Sequence, residues 1–382
     1  MSTIPSYDAN VAVIGLGSMG SFAFWQLAKA KQNVIGFERY QPGHDQGAGH
    51  GETRIFRTAY GEGVEYVPLL QEARKLWREI ESETSTELYI ETGGTMFGLK
   101  GDTFIKNVQE SVQQYHLPHK GWSGIEAKKV YPQINFKADH VVIHEKHAGF
   151  IKPELAIQTA ITRGEQLGGI AYNETEVKEI KPNEKGVTIV CNNRVYRVKK
   201  AIVSAGGWTT QLLPQLNLPL TIERQVLVWY SARSPKDFIP KKFPIFSRMK
   251  EGIGFYGFPS VDGKTVKVAL HHGGEIVNHP SEVDREIYDT DLAPVTELVK
   301  QYLPGLIPEP VRAKTCFYTN TLDEHFILGH VQNVPNITLL GPMAGHGFKF
   351  APVMGKIAAQ LATDQTPSLS IRMFDPNRFY EA

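Results

Sequence analysis

The chain has 382 residues, of which 41% are hydrophobic and 21% charged, with a formal net charge of +1 and two cysteines. That length fits two domains or one large elaborate one, and the composition is ordinary for a globular enzyme with a sizeable core. Near-neutral charge removes the electrostatic case for nucleic acid or an anionic membrane, and no apolar run is long enough to cross a bilayer. Cys191 and Cys316 make no secreted disulfide framework, so a reducing cytoplasm is the expected home. The opening "MSTIPSYDANVAVIGLGSMG" lacks a basic start, and its apolar run reads as a strand rather than a leader.

The first motif follows at once. Val11 to Ile14 reads as a strand ending in Gly15-x-Gly17-x-x-Gly20, then a helix over Ser21 to Lys31, then a second strand, "NVIGFE", ending in Glu38. This is the dinucleotide-binding pattern, and each residue type has a reason. Gly15 permits the tight turn, Gly17 lacks the Cβ that would block a pyrophosphate, and Gly20 lets helix and strand approach. The helix start offers free N–H groups and a partial positive charge to phosphates. Glu38 has the spacing expected of a carboxylate that meets a ribose hydroxyl, and an acid there disfavours a 2′-phosphate. The motif by itself does not separate NAD from FAD.

Next comes "HGETRIFRTAYGEG", residues 50 to 63, with two arginines three apart. If the segment turns helically, Arg54 and Arg57 share a face; a basic face paired with Glu52 or Glu62 is the bland alternative. "EYVPLLQEARKLWREIE" spaces its apolar residues as a helix, and 88 to 100 read as two strands joined by a turn. A helix is expected from Pro153 to Leu167, then short strands near Ala171, Val177, Val187 to Cys191 and Val195 to Val198. Val203 to Gly207 reads as a strand running into paired glycines. Residues 221 to 315 alternate in strand fashion around "RQVLVWYSA", "GFYGFPS" and "TVKVALHHG", with a loop from Ser234 to Lys242. "KTCFYTNTLDEHFILG", residues 314 to 329, carries Cys316, which could be inert packing, a nucleophile or an attachment point. The chain closes on a strand, a glycine loop and a helix with Pro352 near its start.

Four of these motifs together resemble the monomeric sarcosine oxidase and N-methyltryptophan oxidase family, from the N-terminal fingerprint through "HGETRIFRTAYGEG" and "KTCFYTNTLDEHFILG" to "GHGFKFAPVMG". The resemblance spans the chain. It implies an α/β fold with α+β elements, a Rossmann-type FAD-binding domain interleaved with an antiparallel-sheet substrate domain. The cofactor domain is expected over 1–87, 148–220 and 317–382, the substrate domain over 88–147 and 221–316. It implies a covalent FAD through Cys316, and cofactor contacts from Gly15, Gly17, Ser18, Met19, Gly20, Glu38, Arg39, His50, Thr53, Arg54, Val177, Gly206, Gly345, His346, Gly347, Phe348 and Lys349. Arg57 and Lys349 are expected on a substrate carboxylate, Lys267 beside the flavin for the reaction with oxygen, and Tyr256 and His271 at the amine end. Without that context Lys267, flanked by Val266 and Val268, reads as a solvent-facing residue of a half-buried sheet.

The implied reaction oxidises the N-methyl C–H bond of a secondary amino acid, hydrolyses the imine to formaldehyde and the free amino acid, and returns electrons to oxygen as hydrogen peroxide. The implied enzyme is a cytoplasmic monomer with no metal, nucleic acid or membrane partner. Substrates larger than sarcosine stay open, N-methyltryptophan or a cyclic secondary amine among them. The reasons are departures from the family pattern: Gly49-His50 where a histidine pair is familiar, Thr58 where a histidine is, and a basic wall segment, "FSRMKEGIGFYGFP". A nicotinamide-dependent dehydrogenase and a non-catalytic flavin sensor are the rival classes.

Overall fold

The computed structural model describes residues 7–192, 194–250 and 253–380, with Lys250 described in its backbone only. The first six residues of the stretch read as a strand rather than a leader, and Glu251-Gly252 of the wall segment, lie outside this range.

The first unit is β1 (Ala9–Ile14), α1 (Gly20–Lys29) and β2 (Val34–Phe37), with β1 and β2 parallel. The chain continues through β3 (Arg54–Phe56), α2 (Val67–Thr84), β4 (Tyr89–Glu91), β5 (Gly94–Leu99), α3 (Thr103–Gln114), β6 (His119–Ser123) and α4 (Gly124–Val130). Next come β7 (His140–Glu145), β8 (Gly149–Ile151), α5 (Pro153–Gln166), β9 (Ile170–Tyr172), β10 (Val177–Asn183), β11 (Gly186–Cys191) and β12 (Val195–Val203). After the short α6 (Thr209–Leu212) come β13 (Leu220–Ala232), β14 (Ile245–Lys250), β15 (Ile253–Gly257), β16 (Thr265–His271) and β17 (Ile276–Val277). The last elements are α7 (Asp289–Tyr302), β18 (Leu306–Thr321), β19 (Leu328–His330), β20 (Ile337–Leu340) and α8 (Ala351–Ala362).

Among the described residues these strands form three sheets. The first has the order β10-β11-β12-β1-β2-β9, with β20 beside β12 and β19 beside β20. Its centre is parallel and apolar on both faces, because one face packs against α1 and α8 and the other against apolar residues of β10, β11 and the 213–218 segment. The second runs β17-β13-β16-β15-β14-β5-β7-β6, with β18 paired along β13. It is antiparallel apart from the parallel β14–β5 pair. The third is the small set β3-β8-β4. The chain passes between the first two sheets repeatedly, so neither is built from one continuous segment.

Burial explains the helices that matter for the site. α2 buries Leu69, Leu70, Ala73, Leu76, Trp77 and Ile80, the positions its periodicity marks. Burying each large side chain stabilises by about 1.5–3 kcal/mol. α1 is buried almost all round, packed under α8, where a Cβ on Gly355 would come 2.6 Å from the backbone of Phe22 and Ala23. The Trp77 indole donates to the carbonyl of Lys349 at 3.0 Å and ties α2 to the C-terminal glycine loop.

Several expectations change in detail. Residues 54–56 are a strand paired with β8, so Arg54 and Arg57 do not share a helical face. The stretch read as a strand from Val203 to Gly207 is the end of β12, and 206–208 form a 3-10 turn. α7 interrupts the region read as sheet between 221 and 315, despite Pro294 inside it. β18 runs unbroken to Thr321, so the second sheet continues past residue 316.

Candidate active site

A cavity of about 340 Å³ runs from the fingerprint turn to the face of the second sheet. At the first end, Gly15 has φ +86°, and a Cβ there would meet the carbonyl of Ser204 at 2.5 Å. A Cβ on Gly20 would lie 1.8 Å from the carbonyl of Gly15, so this glycine is demanded by packing. A Cβ on Gly17 would touch nothing within 4 Å. It faces the open cavity, and its missing side chain leaves room for a ligand. α1 begins with no side-chain cap and no acid in its first turn, so no side chain competes with an anion for its start, where Ser21 N–H donates to the Gly17 carbonyl at 3.1 Å. Ser18, Met19, Arg39, Val177 and Gly206 also line this end. The buried Glu38 carboxylate accepts from the N–H groups of Leu16 and Tyr40, each at 3.0 Å, and keeps its place at the wall.

The middle of the cavity is set by the segment before β3. Arg54 donates to the carbonyls of Thr53 and Ala48 at 2.9 and 2.7 Å, and its Nη2 is 3.7 Å from Cys316 Sγ. Cys316 is buried and free, and its side chain lines the cavity. His50 and Thr53 are buried with ring nitrogens and hydroxyl unpaired. Burial, helped by Arg54 and Lys314, pushes the His50 imidazole down to about 3, so it stays neutral. Neither His50 nor Thr53 lines the cavity, so these orphaned polar atoms lie behind its wall.

The far end is cationic. Arg57 is buried, stacked 4.8 Å from the Tyr60 ring, and its Nη2 donates to both oxygens of Glu62 at 2.5 and 2.6 Å. The bland expectation for Arg57 is thus met in part: it pairs with Glu62, inside the protein rather than on a solvated face. Burial opposes the Glu62 charge, but Arg57, His346 and Lys349 outweigh it and hold the carboxyl down to about 2. Lys349 is buried, and its Nζ donates to the carbonyl of His346 at 2.6 Å. Burial brings its ammonium down to about 7, with Glu62 opposing and Arg57 assisting. His346 meets the Tyr60 hydroxyl at 2.5 Å and is pushed by burial to about 3. Gly345 has φ +72° and lies against the Tyr318 ring, while Gly347 folds over Met343. Phe348 completes the loop, stacked on Trp77 at 6.1 Å.

The opposite wall comes from the second sheet. Tyr256, His271 and Tyr318 line it, and His271 Nδ1 lies 3.1 Å from the Tyr318 hydroxyl. Burial and the neighbouring His272 push His271 well below the ordinary histidine range, and burial raises the Tyr256 and Tyr318 phenols. Lys267, His50, Thr53 and Gly20 are not among the lining residues and stand behind the wall. Lys267 is buried, with its Nζ on the carbonyls of Gly51 and Thr53 at 2.6 and 2.7 Å.

Sequence reasoning passed over Glu62 as a site residue, and over Tyr318, Glu154, Ser247 and Met249. Tyr318 had a usable signal. On β18 it sits two residues after Cys316, and so on the same face. Glu62, five residues from Arg57, was visible only as a candidate salt bridge.

A profile of the family described as FAD-dependent oxidoreductase matches residues 10–361. A monomeric sarcosine oxidase from Streptomyces avermitilis is 35% identical over 99% of this chain and 99% of its own length. The chain belongs to the FAD-dependent oxidoreductase family. An N-methyl-L-tryptophan oxidase from Yersinia pestis is 34% identical over 97% of this chain and all of its own length. Two solved members of the same architecture superpose with TM-scores of 0.85. They are NikD, an amino acid oxidase of nikkomycin biosynthesis, at 21% identity over 97% of this chain and 98% of its own, and the L-proline dehydrogenase of P. horikoshii at 18% over 98% and 99%. FAD thus replaces the nicotinamide alternative, and the donor set described above fits it. No group of three metal-ligating side chains occurs among the described residues, and none of their helices is long and apolar enough to cross a membrane.

Proposed function

We propose that this protein is an oxidase of N-methyl, secondary amino acids, which converts amine, oxygen and water to free amino acid, formaldehyde and hydrogen peroxide. The observation that carries the reading is the pair of buried cations, Arg57 and Lys349, at the end of a cavity whose middle is lined by Cys316. Bound FAD supplies the two-electron acceptor that no side chain here can provide.

The chain's own residues bind and orient. The open face at Gly17 and the uncapped start of α1 would take the pyrophosphate, and Glu38 the ribose. Cys316 is our candidate for covalent attachment, supported by a thiol that opens on the cavity beside Arg54. A substrate carboxylate is held by the Arg57 fork and the Lys349 ammonium, which suit its planar pair of oxygens and its charge. It takes over the contacts that Glu62 and the His346 carbonyl satisfy in the free protein. Tyr256, His271 and Tyr318 then face the amine and methyl end, with His271 neutral and therefore not repelling a cationic nitrogen. Lys267 places positive charge one layer behind the wall, where it favours reduction of oxygen toward an anion.

We assign the cofactor role to 1–87, 148–220 and 317–382 and the substrate role to 88–147 and 221–316, and we read the enzyme as a cytoplasmic monomer. A bulkier substrate is the second reading, favoured by the small Ser247 and Gly254 on the amine-side wall. The test is peroxide release from the purified holoprotein over a panel of N-methylated and cyclic amino acids. Peroxide and formaldehyde in equal amounts with an N-methyl substrate are expected. A yellow protein that releases no peroxide with any amine removes the reading.

A further inference from the structure

The turn at Gly51-Glu52-Thr53 has two successive residues in the left-handed region, Gly51 at φ +96° and Glu52 at φ +71°. Glycine takes this conformation freely, but glutamate does so only when its surroundings hold it. Here they do so from two sides. Glu154, in the first turn of α5, accepts from the N–H groups of Gly51 and Glu52 at 2.6 and 3.1 Å. The Glu52 carboxylate accepts from the Trp229 indole at 3.0 Å and from Arg312 at 2.5 Å. Trp229 is 2% exposed, so its N–H has no solvent alternative to that carboxylate.

The result of this conformation is that the carbonyls of Gly51 and Thr53 converge on Lys267 Nζ. The sheet register makes the arrangement one unit. Lys267 on β16 lies opposite Trp229 on β13, and Trp229 lies opposite Arg312 on β18. Three neighbours in one row therefore present lysine, tryptophan and arginine on a single face. Arg312 stacks on the indole at 4.0 Å, and Lys267 Nζ stands 4.3 Å from the Phe258 ring, which lines the cavity. Glu52 caps the row. The groups facing Lys267 are Arg54 and Glu52 from the turn segment, Glu154 from α5, and Cys316 from β18. Burial and Arg54 push its ammonium well below the ordinary lysine range, and the two glutamates oppose them.

We propose that Glu52 is a positioning residue for Lys267: its carboxylate locks the Gly51–Thr53 turn onto the Lys267–Trp229–Arg312 row and so fixes the place and charge of the buried ammonium behind the cofactor cavity. The consequence for oxygen rests on the role given to Lys267 above; the structural coupling does not. The outer end of the clamp is half-exposed, with Glu52 and Arg312 side chains 35% and 49% accessible. The setting of a buried cation is therefore reached from the surface.

The experiment compares wild type, Glu52→Ala, Glu52→Gly, Lys267→Met and the Glu52→Ala/Lys267→Met double variant as holoproteins. Glu52→Gly suits the left-handed backbone and lacks the carboxylate, so it separates loss of the clamp from strain. Urea midpoints should be non-additive in the cycle, because the two side chains act as one unit. Photoreduction needs no amine, and reoxidation of the photoreduced protein by oxygen should slow about tenfold in both Glu52 variants, with a shifted pH profile. An additive cycle overturns the proposal, as does an unchanged reoxidation pH profile in the Glu52 variants. A Lys267→Met protein that reoxidises at the wild-type rate overturns the oxygen role given to Lys267, and the stability cycle alone then decides the structural coupling. That outcome is distinct from failure of amine oxidation, which the peroxide screen reads separately.

Discussion

The sharpest test of the anchoring end uses the titration of Lys349. Its ammonium is held near 7 in the free protein, mainly by burial, against an ordinary value of 10.5. Glu62 stays ionised across the neutral range, so Lys349 is the member of this cluster that changes state there. A carboxylate ligand should bind best where Lys349 carries its proton, below about 7. As pH rises through that value in the free protein, binding must bring a proton with it, and affinity weakens toward tenfold per pH unit. The loss stops once the ligand is held by Arg57 alone. A hydrogen bond to a charged group contributes about 1.5–3 kcal/mol, so the whole span is roughly 10- to 150-fold. The assay is the dissociation constant of a non-oxidisable carboxylate such as N,N-dimethylglycine or acetate, followed by flavin absorbance from acid to alkaline pH. Calorimetry in buffers of different ionisation enthalpy counts the proton taken up. Lys349→Met should bind at the weak, alkaline level throughout and lose the pH dependence. A flat wild-type profile across the neutral range, or a Lys349→Met variant that keeps the slope, refutes the assignment of Lys349 to the carboxylate.

Arg57→Ala should raise KM for an amino acid substrate by about 30- to 1000-fold through loss of a charge-assisted fork. It also leaves the half-buried Glu62 carboxylate without its partner, so the variant should also lose stability in denaturant unfolding. Gly17→Val and Gly20→Val should part company: the first folds but binds no flavin, and the second fails to fold because its Cβ meets the Gly15 carbonyl. Visible absorbance and circular dichroism separate the two. Cys316→Ser should release its flavin on acid precipitation, whereas wild type retains it as a mass adduct on the peptide that contains Cys316. An unmodified peptide from yellow wild-type protein would remove the covalent link.

Much of the cofactor half was legible because its rules are local. Gly15, Gly17 and Gly20 sit where backbone sterics admit no side chain, and those contacts arise within a few residues of the turn. The helices over 67–84 and 153–166 announce themselves by their buried spacing. Others did not. α7 carries Pro294 and exposes most of its surface, burying Val295, Val299 and Tyr302, so a short apolar stripe was lost among strand-like neighbours. α3 buries Phe104, Ile105, Val108 and Val112 at helical spacing, a signal that was present and passed over. For Arg54 and Arg57 the spacing suggested a helical face, and pairing with β8 overrode it.

The sequence by itself determined the βαβ unit, the acid at the end of β2 and the kinds of side chain available for a carboxylate. Periodicity and glycine sterics act over a few residues and are therefore written along the chain. Only the tertiary structure decided that Arg54 meets Cys316 across 262 positions, that Lys267 stands on carbonyls 214 and 216 positions away, and that Glu62 occupies Arg57 inside the protein. Those meetings follow from burying the faces of two sheets whose strands come from alternating stretches of chain. That is a sum over many distant contacts, and no short stretch of sequence encodes it.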